Sequence, residues 1–113
     1  MKDEGTWHLT EMETWGNEYL NMEVQAYIRI RRGGGGELQC GLVSGQIDGE
    51  VVQTVGGDRF EFTWDGTDEG DEASGSGWLA MVRKNNLEGT SKIHHGDRST
   101  LAAERAPKRK TRK

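Results

Sequence analysis

Between Tyr19 and Arg31 the chain alternates with a period of two. Leu20, Met22, Val24, Ala26, Ile28 and Ile30 share one parity, while Tyr19, Asn21, Glu23, Gln25, Tyr27, Arg29 and Arg31 take the other. Successive side chains of an extended backbone point to opposite faces, so the pattern predicts a long strand over 20–30 with one buried face. A helix would need apolar residues three and four apart, and the segment does not repeat that way. The glycine run 33–36 follows. Glycine reaches positive φ at no steric cost, which suits a hairpin connection. The next strand is expected from Glu37, with Leu38, Cys40 and Leu42 facing inward. The inward parity then passes to Val43 and Ile47, which predicts a bulge or bend at Ser44-Gly45. Asp48-Gly49 reads as a two-residue hairpin turn, and 51–55 as a short strand.

The alternation resumes after the Gly56-Gly57-Asp58 turn. Phe60, Phe62 and Trp64 alternate with Arg59, Glu61 and Thr63. The acidic stretch that follows, with Asp65, Asp68, Glu69, Asp71 and Glu72, reads as a long solvated loop beginning at Asp65-Gly66. Trp78, Ala80 and Val82 are then expected inward, opposite in parity to Leu79, Met81 and Arg83. Lys84-Asn85-Asn86 is a turn, Leu87, Gly89, Ser91 and Ile93 mark a strand, and His95-Gly96-Asp97 turns the chain again. Residues 98–106 suit strand or helix, and the hairpin rhythm favours strand. TWHLTEMETW, near the start, reads as a strand with a bulge. Seven or eight antiparallel strands with turn signals about every 8–12 residues predict an all-β meander. An up-and-down barrel would close it and remove its edges; a two-sheet β-sandwich is the alternative.

The run WGNEYLNMEVQAYIRIRRGGGGE, with the WDG…ASGSGW segment, resembles a family of small uncharacterised bacterial proteins. The resemblance covers most of residues 7–106. It implies a shared fold and carries over no activity and no site residue.

Composition sharpens this picture at three points. The chain has 113 residues, 32% hydrophobic, with 17 glycines, so one domain (1–106) with a thin core is expected. Extra burial by homo-oligomerisation is the natural complement of a thin core. Charge divides the chain in two. Residues 1–106 carry ten basic residues against all nineteen acids, a net −9, while the tail 107–113 holds the other five basic residues and no acid. Pro107 and the lack of apolar residues predict a disordered tail. No apolar run approaches the ~20 residues that cross a bilayer. The N-terminus places acids where a secretory signal needs basic and apolar residues, so a cytoplasmic protein is expected, and the single Cys40 permits no disulfide within the chain.

Candidate chemistry is sparse. Counted from Asp65, the calcium-loop positions 1, 3, 5 and 12 hold Asp65, Thr67, Glu69 and Ser76, which lacks the bidentate acid. His8, His94 and His95 fall in no metal-binding pattern, so no metal and no cofactor are expected. Cys40 alternates with leucines and reads as a core residue, not a nucleophile. The bias is therefore against an enzyme, and no catalytic residue is assigned. Tyr27, Arg29, Arg31 and Arg32 form a polar strand face that neighbouring acids would pair. Lys108, Arg109, Lys110, Arg112 and Lys113 could contact phosphates, but the acidic body opposes nucleic acid. The leading expectation is a non-enzymatic barrel acting as a homo-oligomeric interaction module. A small-molecule binder with an apolar interior lined by Met22, Val24, Phe62, Trp64 and Trp78 is second, and an enzyme of unknown class third.

Overall fold

The computed structural model describes residues 4–12, 21, 25–96 and 98–106. Eight strands occur: β1 (Gly5–Met12), β2 (Tyr27–Ile30), β3 (Gly35–Cys40), β4 (Val43–Thr54), β5 (Gly57–Asp68), β6 (Asp71–Arg83), β7 (Asn86–Ile93) and β8 (Arg98–Arg105). Each pairs antiparallel with its sequence neighbour, and β8 returns to β1, which closes an up-and-down barrel. The expected meander is therefore the fold, and the sandwich is not. No helix occurs among the described residues, and none is long and apolar enough to cross a membrane.

Apolar parity builds the interior. Trp7, Ile28, Ile30, Phe60, Leu79 and Leu87 are all at most 2% exposed and make its best-sealed part. The outward parity carries Arg29, Glu37, Gln46, Glu61, Lys92 and Arg98. This polarity is the reverse of a membrane-spanning barrel, whose apolar band faces out. Three aromatics of β5 do most of the filling. Phe62 stands opposite Gly49 on β4 and Gly77 on β6, and Trp64 opposite Gly75. A Cβ on Gly49 would lie 2.5 Å from Phe60 Cζ, and one on Gly77 would lie 2.7 Å from Phe62 Cζ. The glycines leave the volume that the rings occupy, which is how a chain with few apolar side chains fills a barrel.

The bulge expected in the first segment is present. The β1–β8 register shifts between Leu9 and Glu11, which returns Met12 to the core side. β8 is a strand, with Leu101 and Ala103 buried. Arg29 pairs with Glu37 on the neighbouring strand at 2.8 Å, an exposed contact worth about 0–1 kcal/mol.

Four expectations are corrected. Asp48-Gly49 is not a turn: β4 runs through it, and the chain turns instead at Gly41-Leu42, between the paired residues Cys40 and Val43. Leu42 is consequently a half-buried turn residue, not an inward strand position. The acidic stretch is not a loop: β5 and β6 stay paired to Asp68 and Asp71, and only Glu69-Gly70 turns, both at positive φ. The inward parity of β6 belongs to Gly75, Gly77 and Leu79, so Trp78 faces outward beside Glu61, and Val82 is 48% exposed next to a register shift. Of the strand expected over 20–30, the described residues Asn21, Gln25 and Ala26 are not strand, and β2 begins at Tyr27. Asn21 sits in a turn, and its Oδ1 accepts a hydrogen bond from Ala26 N at 2.8 Å, while Ala26 O accepts from Leu9 N of β1 at 2.9 Å. Met22, Val24, Trp15 and the basic tail lie outside the described residues.

The barrel has two distinct ends. The acidic end carries the Gly41-Leu42, Glu69-Gly70 and His94-His95 turns. At the opposite end the β4–β5 ladder continues to Thr54 and Gly57, whereas β3 pairs with β4 only as far as Asp48, and β6 pairs with β5 only from Phe60. Residues 50–59 therefore project as a two-stranded arm with no third strand on either side among the described residues.

Candidate functional site: the interior beside Trp64

Two features stand out from the fold, an interior space near the acidic end and the arm at the other. The interior space measures about 30 Å³, and its walls include Leu9, Met12, Cys40, Phe62, Trp64 and Leu101. Ser91 and Ser99 complete one side of it and stand directly opposite each other across β7 and β8. Trp64 Nε1–H is buried with no hydrogen-bond partner, and a Cβ on Gly75 would lie 2.6 Å from it. Glycine at 75 thus leaves the indole its room. An unmet buried donor costs about 1–3 kcal/mol, so among the described residues this is the one buried side-chain polar atom that calls for a partner.

Of the five residues expected to line the interior, Phe62 and Trp64 come together here. Trp78 does not: it lies on the outer surface with the Arg59 guanidinium 4.9 Å above its ring, and Arg59 in turn pairs with Glu61 at 2.7 Å. Ser91 and Ser99 were not anticipated as part of the site. Their signal was present, since Ser91 shares the parity of Leu87 and Ile93, and Ser99 that of Leu101.

Cys40 faces the same space. Burial, with the Asp68 carboxylate adding to it, pushes its thiol from 9.0 up to about 12. It stays a neutral thiol near pH 7 and cannot act as a nucleophile. The same displacement has a consequence for stability. The unfolded thiol ionises near pH 9 and the folded one near 12, so the folded state retains the proton between them. This contribution is complete below about pH 9 and is lost as pH rises toward about 12, up to ~4 kcal/mol in all. Urea titrations at about pH 8 and about pH 11 should show a smaller alkaline loss in Cys40→Ala than in the parent chain. An identical loss in both would refute this origin.

His94 and His95 meet in the β7–β8 turn with ring centroids 4.0 Å apart. No group of three or more His, Cys, Asp or Glu able to hold a metal occurs among the described residues.

No protein-family model, curated protein or solved structure matches the chain. Roles for its residues therefore rest on their own geometry.

Proposed function

We propose that the protein is a non-enzymatic, cytoplasmic interaction barrel that self-associates through the β4–β5 arm. One observation carries this reading: among the described residues the exposed large hydrophobics, Val51, Val55 and Val82, gather at the end where the paired strands of the arm have no described outer neighbours. Val55 at the tip is fully exposed at 110%. An unpaired strand edge is a template for another strand, and native proteins usually blunt it with lysine, proline or a covering element. The edge over 50–54 reads Glu-Val-Val-Gln-Thr, with no lysine or proline and a single charge, at Glu50, and no described element covers it.

The edge is also complementary to itself. In an antiparallel pairing centred on Val52, Glu50 of one copy meets Thr54 of the other, and Val51 meets Gln53. No like charges oppose. Such a contact is two-fold symmetric and closes as a dimer. The net acidic bodies repel, so association should strengthen as salt screens them.

Sedimentation velocity from micromolar to near-millimolar concentration tests the proposal. A dimer should grow in with concentration and with added salt. The double variant Gln53→Lys, Val55→Lys should sediment as a monomer and keep the parent melting temperature, since both positions are exposed. A monomer throughout for the parent chain would remove the reading. A second reading, small-molecule binding, is favoured by the unpaired Trp64 indole.

A further inference from the structure

We infer that the outer groove between Trp78 and Glu11 is a docking site for the chain's own basic tail, residues 107–113, which turns back along the outside of β8. This face is formed by β6, β7, β8 and β1 and is separate from the arm edge over 50–54, so the contact is independent of self-association.

The groove follows from side-chain size. On the outer face of the two middle strands Thr90 stands opposite Thr100, and Glu88 opposite Ala102. Larger side chains border this floor, Trp78 of β6 beside Thr90 and Glu11 of β1 beside Ala102. Together they shape an open groove of about 550 Å³.

Its chemistry is one-sided. The two charged residues of the wall, Glu11 and Glu88, are both acids and both exposed. The threonine hydroxyls can accept hydrogen bonds, and a tryptophan ring attracts a cation over its face. Exposed Glu104, two residues past Ala102 on β8, extends the acidic surface toward the arm end, opposite His8 and Asn86. In the other direction the pair Lys92 and Arg98, just past Thr90 and Thr100, closes the groove to a cationic chain. Such a wall fits lysines and arginines, whose stems pack on Trp78 and Ala102 while their heads meet the carboxylates.

Charge and reach select the tail. Residues 107–113 hold five basic residues and no acid, against a body of net −9. β8 ends at the arm end, where Ala106 N donates to Thr6 O at 2.9 Å. Returning from Ala106 to the level of Ala102 takes four residues, about 13 Å at ~3.3 Å per residue. Seven extended residues span up to about 25 Å, enough to carry the tail past Glu104 to Glu88 and Glu11. Pro107 suits the reversal. The acidic turn at Glu69-Gly70 is too far: Arg98, at the near side of that end, is already about 26 Å from Ala106 along β8. Each surface ion pair is weak, but tethering holds the tail at an effective concentration on the order of millimolar, so weak contacts suffice.

The test uses the full ¹⁵N-labelled chain with Thr111→Cys carrying a nitroxide; Cys40 is buried and stays unlabelled. The same sample with the nitroxide reduced is the reference. At low salt the label should broaden the Trp78 indole resonance, identified by its loss in Trp78→Phe, and the amides of Glu88, Thr100 and Ala102. The amides of Glu69 and Gly70 should stay sharp. The broadening should fall about threefold or more in the double variant Glu11→Gln, Glu88→Gln, and likewise in 1 M salt, where charges act over only about 3 Å. Both glutamates are exposed, so the double variant should keep the parent melting temperature. The inference is overturned if the broadening survives both the double variant and the salt, because tethering alone then places the label there. It is equally overturned if the groove resonances stay sharp, or if they broaden only when nitroxide-bearing, unenriched chain is mixed with ¹⁵N-labelled chain, which would assign the groove to a second copy's tail.

Discussion

Gly89→Ala should unfold the barrel or cost more than about 3 kcal/mol, the upper part of the range for overpacked interiors. Gly89 lies in the middle of β7, opposite Leu79 on β6 and Leu101 on β8. A Cβ there would stand 1.8 Å from the Trp78 carbonyl oxygen, 2.8 Å from its carbon and 3.0 Å from Leu79 Cα. All three obstacles are backbone. A side chain could rotate aside, but these atoms belong to the paired strand, so the β6–β7 ladder itself would have to part. Conformational freedom is not the issue, because Gly89 does not have positive φ. Gly56→Ala is the matched control. Gly56 sits in the exposed β4–β5 turn with nothing within 4 Å of a Cβ, and the change should stay within about 0.5 kcal/mol. Urea unfolding followed by tryptophan fluorescence measures both. Comparable midpoints for the two variants would mean that the strands pack less closely than described.

The second large effect is expected at Phe60. Phe60→Ala should cost about 3–5 kcal/mol, the usual range for removing a buried aromatic ring. The ring is 0% exposed, lies 5.8 Å from Phe62, and stands between Val51 on β4 and Leu79 on β6 at the base of the arm. Glycine at 49 cannot fill the vacated space, so the site collapses poorly. Val55→Ala, on the same hairpin but fully exposed, should be nearly neutral. A loss below about 1 kcal/mol for Phe60→Ala would show that the neighbouring strands close over the gap.

The strands were readable where apolar residues mark one parity without interruption. Phe60, Phe62 and Trp64, or Leu101 and Ala103, leave no ambiguity about their inner face. Most of the errors involve glycine, because one residue type answers to two causes. Asp48-Gly49 and Asp65-Gly66 look like turns by composition. Yet Gly49 is needed because Phe60 and Phe62 occupy its Cβ volume, and Gly66 because the Ser44 carbonyl oxygen would stand 1.9 Å from a Cβ. The true turns at Gly41 and Gly70 do use positive φ, which composition alone does not distinguish. On β6 the inward positions Gly75 and Gly77 contribute no apolar signal, so the outward Trp78 took their place in the reading. The interior site was half visible. Phe62 and Trp64 follow from parity, but an indole N–H without a partner is a property of packing between strands, which no local pattern encodes.

Self-association through the arm can be tested residue by residue with amide hydrogen exchange of the full chain at low and at near-millimolar concentration. Amides over 50–54 should become markedly more protected at the higher concentration, while those of the sealed core around Leu79 and Leu87 stay unchanged. Equal exchange of the arm at both concentrations would contradict it.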